Sequence, residues 1–373
     1  MKIALASGLH PSEIGGPASY ARLLELELPQ NGIEVKTVPY GWVRQYPLLV
    51  RHAVYTWKLW RESSACNVLY ALDPIGVGLP ALVVAKLRRR PLVVRVAGDY
   101  AWELGRTKLG LKGTLDEYLQ YQETAPLRVR LLAKLQTYVV SRADTVIVPS
   151  LYLKNIAIGK WGIRPEKVSV IHSALYPLEV SADKETLRSQ LAYTEPTLVS
   201  AAQLVPWKGF RVLLEVVAKL QAKYPGLSLV IIGDGQERER LEAQVAKLQL
   251  QAQVRFTGRI SKDALGAAIK AADVFVLNTA YEGLSHQLIE VMDLGVPIVT
   301  TKSGGNPELI TDGVNGYLVD FNDVNQLHDA VVRVLSNPDS RERITQSARG
   351  RSKDFQKQIV MQEIVRVLQE YGG

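Results

Sequence analysis

Two carboxylates, those of Glu282 and Glu290, lie eight residues apart in the second half of this sequence. An apolar run at 274–277 predicts a strand before them, and Ser285 predicts the cap of a helix that carries the second glutamate. Because positions eight apart on a helix differ by only about 80°, both carboxylates can face one ligand. Carboxylates accept hydrogen bonds from sugar hydroxyls. The simpler alternative for such spacing is a pair of solvated glutamates.

The residues between the two glutamates favour the binding of an anion. The backbone N–H groups of Gly283, Leu284 and Ser285 would lie at the positive end of the predicted helix, which suits a phosphate. His286 follows directly and is a further polar candidate. After the next apolar strand, a Ser-Gly-Gly-Asn loop at 303–306 can bring its backbone close to a ligand.

This segment resembles the donor site of the family-four retaining glycosyltransferases of GT-B fold. Their signature is a glutamate, seven residues, a second glutamate and then Gly-Gly-x-x-Glu, which Gly304, Gly305 and Glu308 match. The resemblance implies that Glu282 orients the donor sugar and that Glu290 binds the ribose hydroxyls. The order of segments from residue 1 to about residue 370 is compatible with this family.

A second segment supplies a cation for the same site. Lys208 precedes a glycine at the head of an amphipathic helix, where its ammonium group can neutralise a pyrophosphate. The family usually has an arginine ahead of this Lys-Gly pair, but Gln203 occupies that position here and brings no charge. We expect weaker diphosphate binding, a different polar arrangement or a lost activity. Lys208, Glu282 and Asp99 are the predicted catalytic residues, and Gln203 belongs to the predicted donor site.

The first half of the chain offers candidates with less specific patterns. Gly15 and Gly16 follow the first strand, in a loop that the resemblance places near the donor phosphates, although a simple turn is the alternative. Asp99 ends the fourth strand, where many relatives have a histidine. Asp99 could bind an acceptor hydroxyl or act as a base while Trp102 stacks on a sugar, or it could cap a helix while Trp102 fills the core. His172 ends another strand.

Alternating strand and helix patterns predict an α/β fold of GT-B type, with two doubly wound Rossmann-like domains facing across a cleft. We expect an acceptor-side domain at 1–178, a nucleotide-sugar domain at 179–354, and a C-terminal helix at 355–373 that crosses back to the first domain. The predicted strands are 2–6, 35–39, 68–72, 92–97, 145–148, 168–171, 197–201, 227–232, 254–257, 274–277, 298–301 and 317–319.

Composition and charge limit the classes of partner that the protein is expected to bind. The 373 residues are 47% hydrophobic, enough for two buried cores, and the net charge is +8. The positive excess belongs to the first 180 residues, and a basic face can meet nucleic acid, an anionic membrane or a phosphorylated acceptor. Because no zinc-finger, basic-zipper or RNP-like pattern occurs, nucleic acid is not an expected partner. The single cysteine, Cys66, excludes an internal disulfide.

Two segments are candidates for membrane contact. One is Arg88–Arg90, and the other is the segment 126–140, in which leucines form an apolar stripe beside basic residues. The favoured alternative for the second segment is a core-packed helix with a solvated basic edge. We therefore expect a cytoplasmic protein, with peripheral contact at the inner face of the membrane as the other case.

The resemblance implies a retaining transferase of polysaccharide biosynthesis. It would move a sugar from a nucleotide-diphospho-sugar to a glycan or a lipid-linked saccharide. The chain has no Asp-x-Asp and no His/Cys ligand cluster, so we expect no metal and no cofactor. The alternatives are a sugar-nucleotide epimerase, a phosphorylase and a catalytically silent subunit that binds a sugar nucleotide.

Overall fold

Two parallel sheets of six strands each organise the part of the chain that the structure describes, residues 1–10 and 16–372 of a computed structural model. The first sheet belongs to a unit formed by Met1–His172 and Gln358–Gly373, and the second belongs to a unit formed by Ser173–Lys357. The predicted α/β class, with one parallel sheet in each half of the chain, is confirmed.

The first sheet has the strand order β2-β1-β3-β4-β5-β6. Most of its strands are continuous apolar runs, as expected for a parallel sheet that helices cover on both faces. The direction in which successive strands are added reverses between β1 and β3, which makes this the switch point of the sheet. The strands are β1 (Lys2–Ser7), β2 (Glu34–Pro39), β3 (Val68–Ala71), β4 (Leu92–Arg95), β5 (Thr145–Val148) and β6 (Val168–Val170).

Seven helices connect or flank these strands within residues 1–10 and 16–172. The longest two are α2 and α6. The helices are α1 (Gly16–Glu27), α2 (Leu48–Glu62), α3 (Gly78–Arg88), α4 (Tyr100–Lys108), α5 (Leu115–Gln120), α6 (Leu127–Arg142) and α7 (Leu151–Gly159).

The second sheet has the order β12-β11-β10-β7-β8-β9, so its switch point lies between β10 and β7. Its strands are β7 (Thr197–Ala201), β8 (Ser228–Ile232), β9 (Val254–Gly258), β10 (Val274–Leu277), β11 (Ile298–Thr301) and β12 (Tyr317–Val319). The remaining helices are α8 (Lys184–Leu191), α9 (Phe210–Leu220), α10 (Arg238–Lys247), α11 (Lys262–Lys270), α12 (His286–Leu294), α13 (Asn306–Leu309), α14 (Val324–Ser336), α15 (Pro338–Ser352) and α16 (Lys357–Gly372). From Gln358 onward, α16 belongs to the first unit.

All twelve predicted strands are present, and their ends differ from the predicted ends by at most two residues. Their apolar side chains form the buried cores of the two units, and Val274, Phe275 and Val276 in β10 are fully buried. Short apolar runs between turn residues therefore located the strands correctly, because parallel strands exclude water from both faces.

The segment 126–140 does form a helix, α6, but its buried face differs from the predicted leucine stripe. Leu127 and Leu131 are exposed, and of the stripe only Val139 is buried. The buried glutamine on this helix, Gln136, is paired, since its Nε2 donates to Asp99 Oδ2 at 3.3 Å. Hydrophobic periodicity cannot anticipate a buried polar residue, which explains the error. The inward residues are Val129, Ala133, Gln136, Val139 and Val140.

Candidate functional site

The switch point of the second sheet brings two predicted residues into contact. Lys208 lies in the loop after β7, and Glu282 lies in the loop after the neighbouring strand β10. Lys208 Nζ donates a hydrogen bond to Glu282 Oε1, and the two largely buried side chains form an ion pair. Open parallel sheets bind ligands at the carboxyl ends of their strands, beside the switch point. The ion pair therefore lies where a ligand of this unit is expected.

Lys208 is positioned by a turn that only glycine can close. The lysine ends a short 3-10 turn and precedes Gly209, which has a φ of +54°. A Cβ on Gly209 would come within 2.3 Å of Asn278 Nδ2, and this Nδ2 donates to the carbonyl of Gly209 at 2.9 Å. The loop after β7 is thus attached directly to the end of β10.

Glu282 is held by the paired glycines. Gly304 has a φ of +60°, and a Cβ there would lie only 2.0 Å from the carbonyl oxygen of Glu282. The N–H of Gly305 donates to the same oxygen at 2.9 Å. The glycine loop was predicted to approach a ligand, and the structure shows that it approaches the backbone of Glu282. Its direct contact with a ligand stays a prediction.

The predicted helix cap is confirmed. Ser285 is the N-cap of α12, and its Oγ accepts a hydrogen bond from the N–H of Leu288 at 3.3 Å. Gly283 and Leu284 are buried just ahead of the cap. His286 begins the helix, with its ring centroid 6.1 Å from that of Tyr176. Binding of a phosphate at this helix end, next to the ion pair, stays a prediction.

Glu290 lies in the second turn of α12 and is partly buried. Burial raises the pKa of its carboxyl to about 7, although the positive charge of Lys262 opposes the rise. Between pH 4.5, its ordinary value, and about pH 7, the folded protein therefore binds more protons at this site than the unfolded chain does. The free energy of unfolding contributed by Glu290 falls as the pH rises through this interval.

We expect the affinity for a nucleotide-sugar to increase as the pH rises from about 6 to about 8, because the ionised carboxylate accepts ribose hydroxyls better than the neutral acid. Calorimetric titration of UDP-glucose and GDP-mannose measures this, since their diphosphates do not titrate in this range. Glu290→Gln should remove the pH dependence, and the exposed Glu239→Gln should keep it. An affinity in the wild type that does not change with pH would exclude ribose contact by Glu290.

Gln203 is exposed in the same loop as Lys208. The next residue, Leu204, is anchored to the loop after β8, because its N–H donates to the carbonyl of Asp234 at 3.1 Å. A Cβ on Gly235 would come within 2.3 Å of the Leu204 carbonyl oxygen. This support from the Gly-Asp-Gly segment after β8 was missed in the sequence, although a glycine pair directly after a strand was a usable signal. Contact between Gln203 and a diphosphate stays a prediction.

In the first unit, the structure supports the cap alternative for Asp99 and the core alternative for Trp102. Asp99 is fully buried and caps α4, with Oδ1 accepting from the N–H of Trp102 at 2.8 Å. Its Oδ2 accepts from Gln136 Nε2 and Trp161 Nε1, both at 3.3 Å. Burial raises the pKa of Asp99, and the Trp102 side chain is 1% exposed. Their burial supports these structural roles, and contact of either residue with an acceptor stays a prediction.

Another carboxylate, absent from the sequence-based candidates, lies at the switch point of the first sheet. Asp73 follows β3, and a Cβ on Gly8, which follows β1, would lie 3.4 Å from its Oδ2. Asp73 Oδ1 accepts from the N–H groups of Ile75 at 2.9 Å and Val77 at 3.2 Å. Burial raises its pKa, yet the residue is partly exposed, unlike Asp99. An aspartate just after an apolar strand was the available signal.

Polar aromatic side chains interact electrostatically with Asp73. Burial, and then the negative charge of Asp73, raises the pKa of Tyr100 to about 12. Burial also raises the pKa of Tyr40, and Asp73 adds to the effect. The hydroxyl of Tyr40 lies 3.2 Å from His52 Nδ1. This edge of the first sheet therefore gathers a carboxylate, phenols and an imidazole, the groups that bind and deprotonate hydroxyls.

Three other predictions concern single positions or a metal. Gly15 lies outside the described residues, and Gly16 is the first residue of α1. His172 is partly buried at the end of the first unit. Within residues 1–10 and 16–372, no three His, Cys, Asp or Glu side chains are grouped so that they could hold a metal ion.

Both units match family models. A model described as "Glycosyl transferase 4-like domain" matches residues 4–174, and one described as "Glycosyl transferases group 1" matches residues 183–351. The chain belongs to the group 1 glycosyltransferases. The family named from the glutamate and glycine signature is thereby confirmed.

Individual members of this family show how far the likeness extends. The chain is 33% identical over 151 residues to the lipopolysaccharide core biosynthesis glycosyltransferase LpsE of Rhizobium meliloti, which covers 40% of this chain and 43% of LpsE. It is 34% identical over 150 residues to a GDP-mannose-dependent α-(1-6)-phosphatidylinositol monomannoside mannosyltransferase of Mycolicibacterium smegmatis, which covers 38% of this chain and 39% of that enzyme. The chain thus spans less than half of the length of these two relatives.

A solved structure covers the whole fold. HepE from Anabaena, in complex with UDP and glucose, superposes with a TM-score of 0.76 and 21% identity, over 99% of this chain and 100% of HepE. The GT-B fold predicted for this group 1 glycosyltransferase is confirmed.

Proposed function

We propose that this protein is a retaining glycosyltransferase that moves a sugar from a nucleotide-diphospho-sugar to a glycan or a lipid-linked saccharide. The observation that carries the proposal is the Lys208–Glu282 ion pair, which lies at a switch point beside the capped end of α12. The names of the relatives agree, because they refer to UDP, GDP-mannose, a lipopolysaccharide core and a phosphatidylinositol mannoside.

In the proposed reaction, the bond from the anomeric carbon to the β-phosphate oxygen breaks, and its electron pair stays on that oxygen. The acceptor oxygen forms the new bond to the anomeric carbon on the same face of the sugar, and its proton passes to the released phosphate. Negative charge therefore grows on the diphosphate, where fixed positive groups lower the barrier most.

Lys208 and the end of α12 supply this positive charge. An ammonium group has three N–H donors, and the contact with Glu282 leaves two of them for phosphate oxygens. Glu282 in turn holds the lysine in place and presents its second oxygen to a sugar hydroxyl. Because the chain supplies its own cation here, we propose that transfer needs no divalent metal.

On the acceptor side, we propose that Asp73 binds the attacking hydroxyl, in place of Asp99. Asp73→Asn keeps the shape of the side chain and removes its negative charge, so kcat should fall by about 10²-fold while donor affinity is unchanged. Asp144→Asn is the matched control. Asp144 Oδ2 accepts from the N–H of Leu92 at 2.8 Å at the amino ends of β4 and β5, the opposite edge of the same sheet. Equal kcat values for the two variants would remove Asp73 from the site.

The activity is tested by nucleoside diphosphate release from UDP-, GDP-, ADP- and dTDP-sugars, with and without pooled glycan and lipid-linked acceptors, in the presence of a chelator. We expect one donor to be turned over and to respond to acceptor, with an α-linked donor giving an α-linked product by NMR. Release that needs no acceptor but needs inorganic phosphate would indicate a phosphorylase, and conversion of the sugar nucleotide itself would indicate an epimerase.

One observation supports the alternative of a silent subunit. The position at which the family usually has an arginine is Gln203, whose side chain brings no charge to the loop. Stoichiometric donor binding without turnover, for every acceptor pool, would favour that alternative over the transferase.

A further inference from the structure

Three adjoining helices of the first unit, α2, α3 and α6, form one layer. They connect β2 to β3, β3 to β4 and β4 to β5, and the strand order advances in the same direction at each step. Because such crossovers are right-handed, the three helices cover the same face of the sheet. Helix α3 contacts both of its neighbours. We call the outward side of this layer, together with Trp42 beside α2, the α2–α3–α6 surface.

Exposed aromatic residues concentrate on this surface. Among the described residues, three of the six tryptophans are exposed, namely Trp42 (63%), Trp57 (57%) and Trp60 (46%), and all three belong to it. Leu87 on α3 is 69% exposed, and Tyr138 on α6 is also exposed. Single exposed apolar residues are ordinary, but a concentration of them marks an interaction site.

A cation lies over each exposed indole. Lys58 Nζ is 3.1 Å from the ring centroid of Trp42, and the guanidinium carbon of Arg61 is 5.1 Å from that of Trp57. The guanidinium carbon of Arg88, at the end of α3, is 4.7 Å from the ring of Trp60, and Arg88 Nε donates to the Trp60 carbonyl at 3.1 Å. These cation–π contacts hold the rings in place at the surface.

The same helices carry a large excess of positive charge. Nine basic residues and one acidic residue lie in α2, α3 and α6, so their net charge of +8 equals that of the entire chain. The one acidic residue, Glu62, is paired with Lys36 and Arg61, each at 3.2 Å. No carboxylate of these helices is therefore left to attract a cationic partner.

We propose that the α2–α3–α6 surface docks on an anionic lipid bilayer. Indole rings are favoured at the boundary between headgroups and acyl chains, and basic side chains are attracted to anionic lipids. Exposed indoles together with an excess of basic side chains are typical of a surface that lies on a membrane. No helix of the described residues has the length and apolarity needed to cross one. Docking at this surface would bring the protein to a lipid-linked acceptor, but docking itself does not require the proposed transfer.

Binding is measured by flotation with vesicles of pure phosphatidylcholine and with vesicles that contain phosphatidylglycerol. We expect the protein to bind the anionic vesicles, and the bound fraction to fall as salt is raised from about 0.05 M to about 0.5 M. Brominated lipids should quench part of the tryptophan fluorescence. Trp102 and Trp161 are buried and should contribute a constant background.

A matched pair of variants distinguishes the effect of charges on this surface from the effect of the protein's overall net charge. Lys86→Gln with Arg90→Gln removes one exposed charge on α3 and one just beyond its end, and we expect binding to anionic vesicles to weaken at least about tenfold. Lys247→Gln with Arg343→Gln removes two exposed charges from helices of the second unit and should leave binding unchanged. Equal effects of the two pairs would overturn the proposed surface.

The aromatic contribution is tested with Trp57→Gln and Trp60→Gln together, both at exposed positions that should leave the fold intact. We expect this variant to lose most of the brominated-lipid quenching, because only Trp42 of the three exposed tryptophans remains. It should also lose most of the binding that survives high salt. Absence of wild-type binding to anionic vesicles, or equal binding to neutral ones, would overturn the proposal. Concentration-dependent self-association that the tryptophan variant abolishes, without vesicle binding, would identify a second copy of the chain as the occupant. Because the readout is binding without donor, a failed transferase assay does not affect it.

Discussion

Replacing Lys208 by alanine is expected to lower kcat by about 10²- to 10³-fold, the effect of removing one donor from a site where negative charge develops. Lys208 forms an ion pair with Glu282 beside the capped end of α12, and no other cation within residues 1–10 and 16–372 pairs with Glu282. The loss should appear in kcat more than in donor affinity, because the charge on the diphosphate increases as the bond to the sugar breaks.

The variant also leaves the largely buried Glu282 without its lysine, so activity and stability have to be measured together. Lys208→Ala combined with Glu282→Gln removes both charges and should recover stability but not activity. Lys219→Ala, in the helix α9 that follows Gly209, is the control, since Lys219 is exposed and donates to Asn325 Oδ1 at 3.0 Å. If folded Lys208→Ala keeps a kcat within about threefold of the wild type, Lys208 does not stabilise the leaving group.

The sequence indicated both residues of the ion pair in the second unit, but it did not indicate that they are in contact. Lys208 and Glu282 were each recognisable from local patterns, a Lys-Gly pair after a strand and a glutamate ahead of a capped helix. Their contact depends on β7 and β10 being neighbours, although two strands separate them in the chain. Strand order follows from the packing of whole helices on the sheet, which no local pattern contains.

The two aspartates of the first unit show the same limit. Asp73 and Asp99 both follow buried strands, so their local patterns are alike. What separates them is their distant partners, because Gln136 and Trp161 enclose Asp99, whereas Asp73 stays partly exposed beside Gly8. Residues that enclose a carboxylate from distant parts of the chain are identified only when the fold is known.

Substituting Gly304 by alanine is expected to cost about 2–5 kcal/mol of stability and to abolish activity. Left-handed backbone costs a residue with a Cβ about 1–2 kcal/mol, and the overlap with a neighbouring backbone adds about 1–3 kcal/mol. Here the Cβ would lie 2.0 Å from the carbonyl oxygen of Glu282, so relief of the overlap must move Glu282 away from Lys208.

Substitution of Gly313 separates the backbone cost from the cost of the overlap. The φ of Gly313 is +71°, but a Cβ there would meet nothing within 4 Å. Gly313→Ala should therefore cost only the left-handed backbone contribution, about 1–2 kcal/mol, and keep full activity. Parallel urea unfolding and kcat measurements on the two variants give the comparison. Equal losses of stability in both would mean that the contact of Gly304 with Glu282 adds nothing. If Gly304→Ala instead unfolds early but retains kcat at low denaturant, the glycine supports the fold without positioning the glutamate.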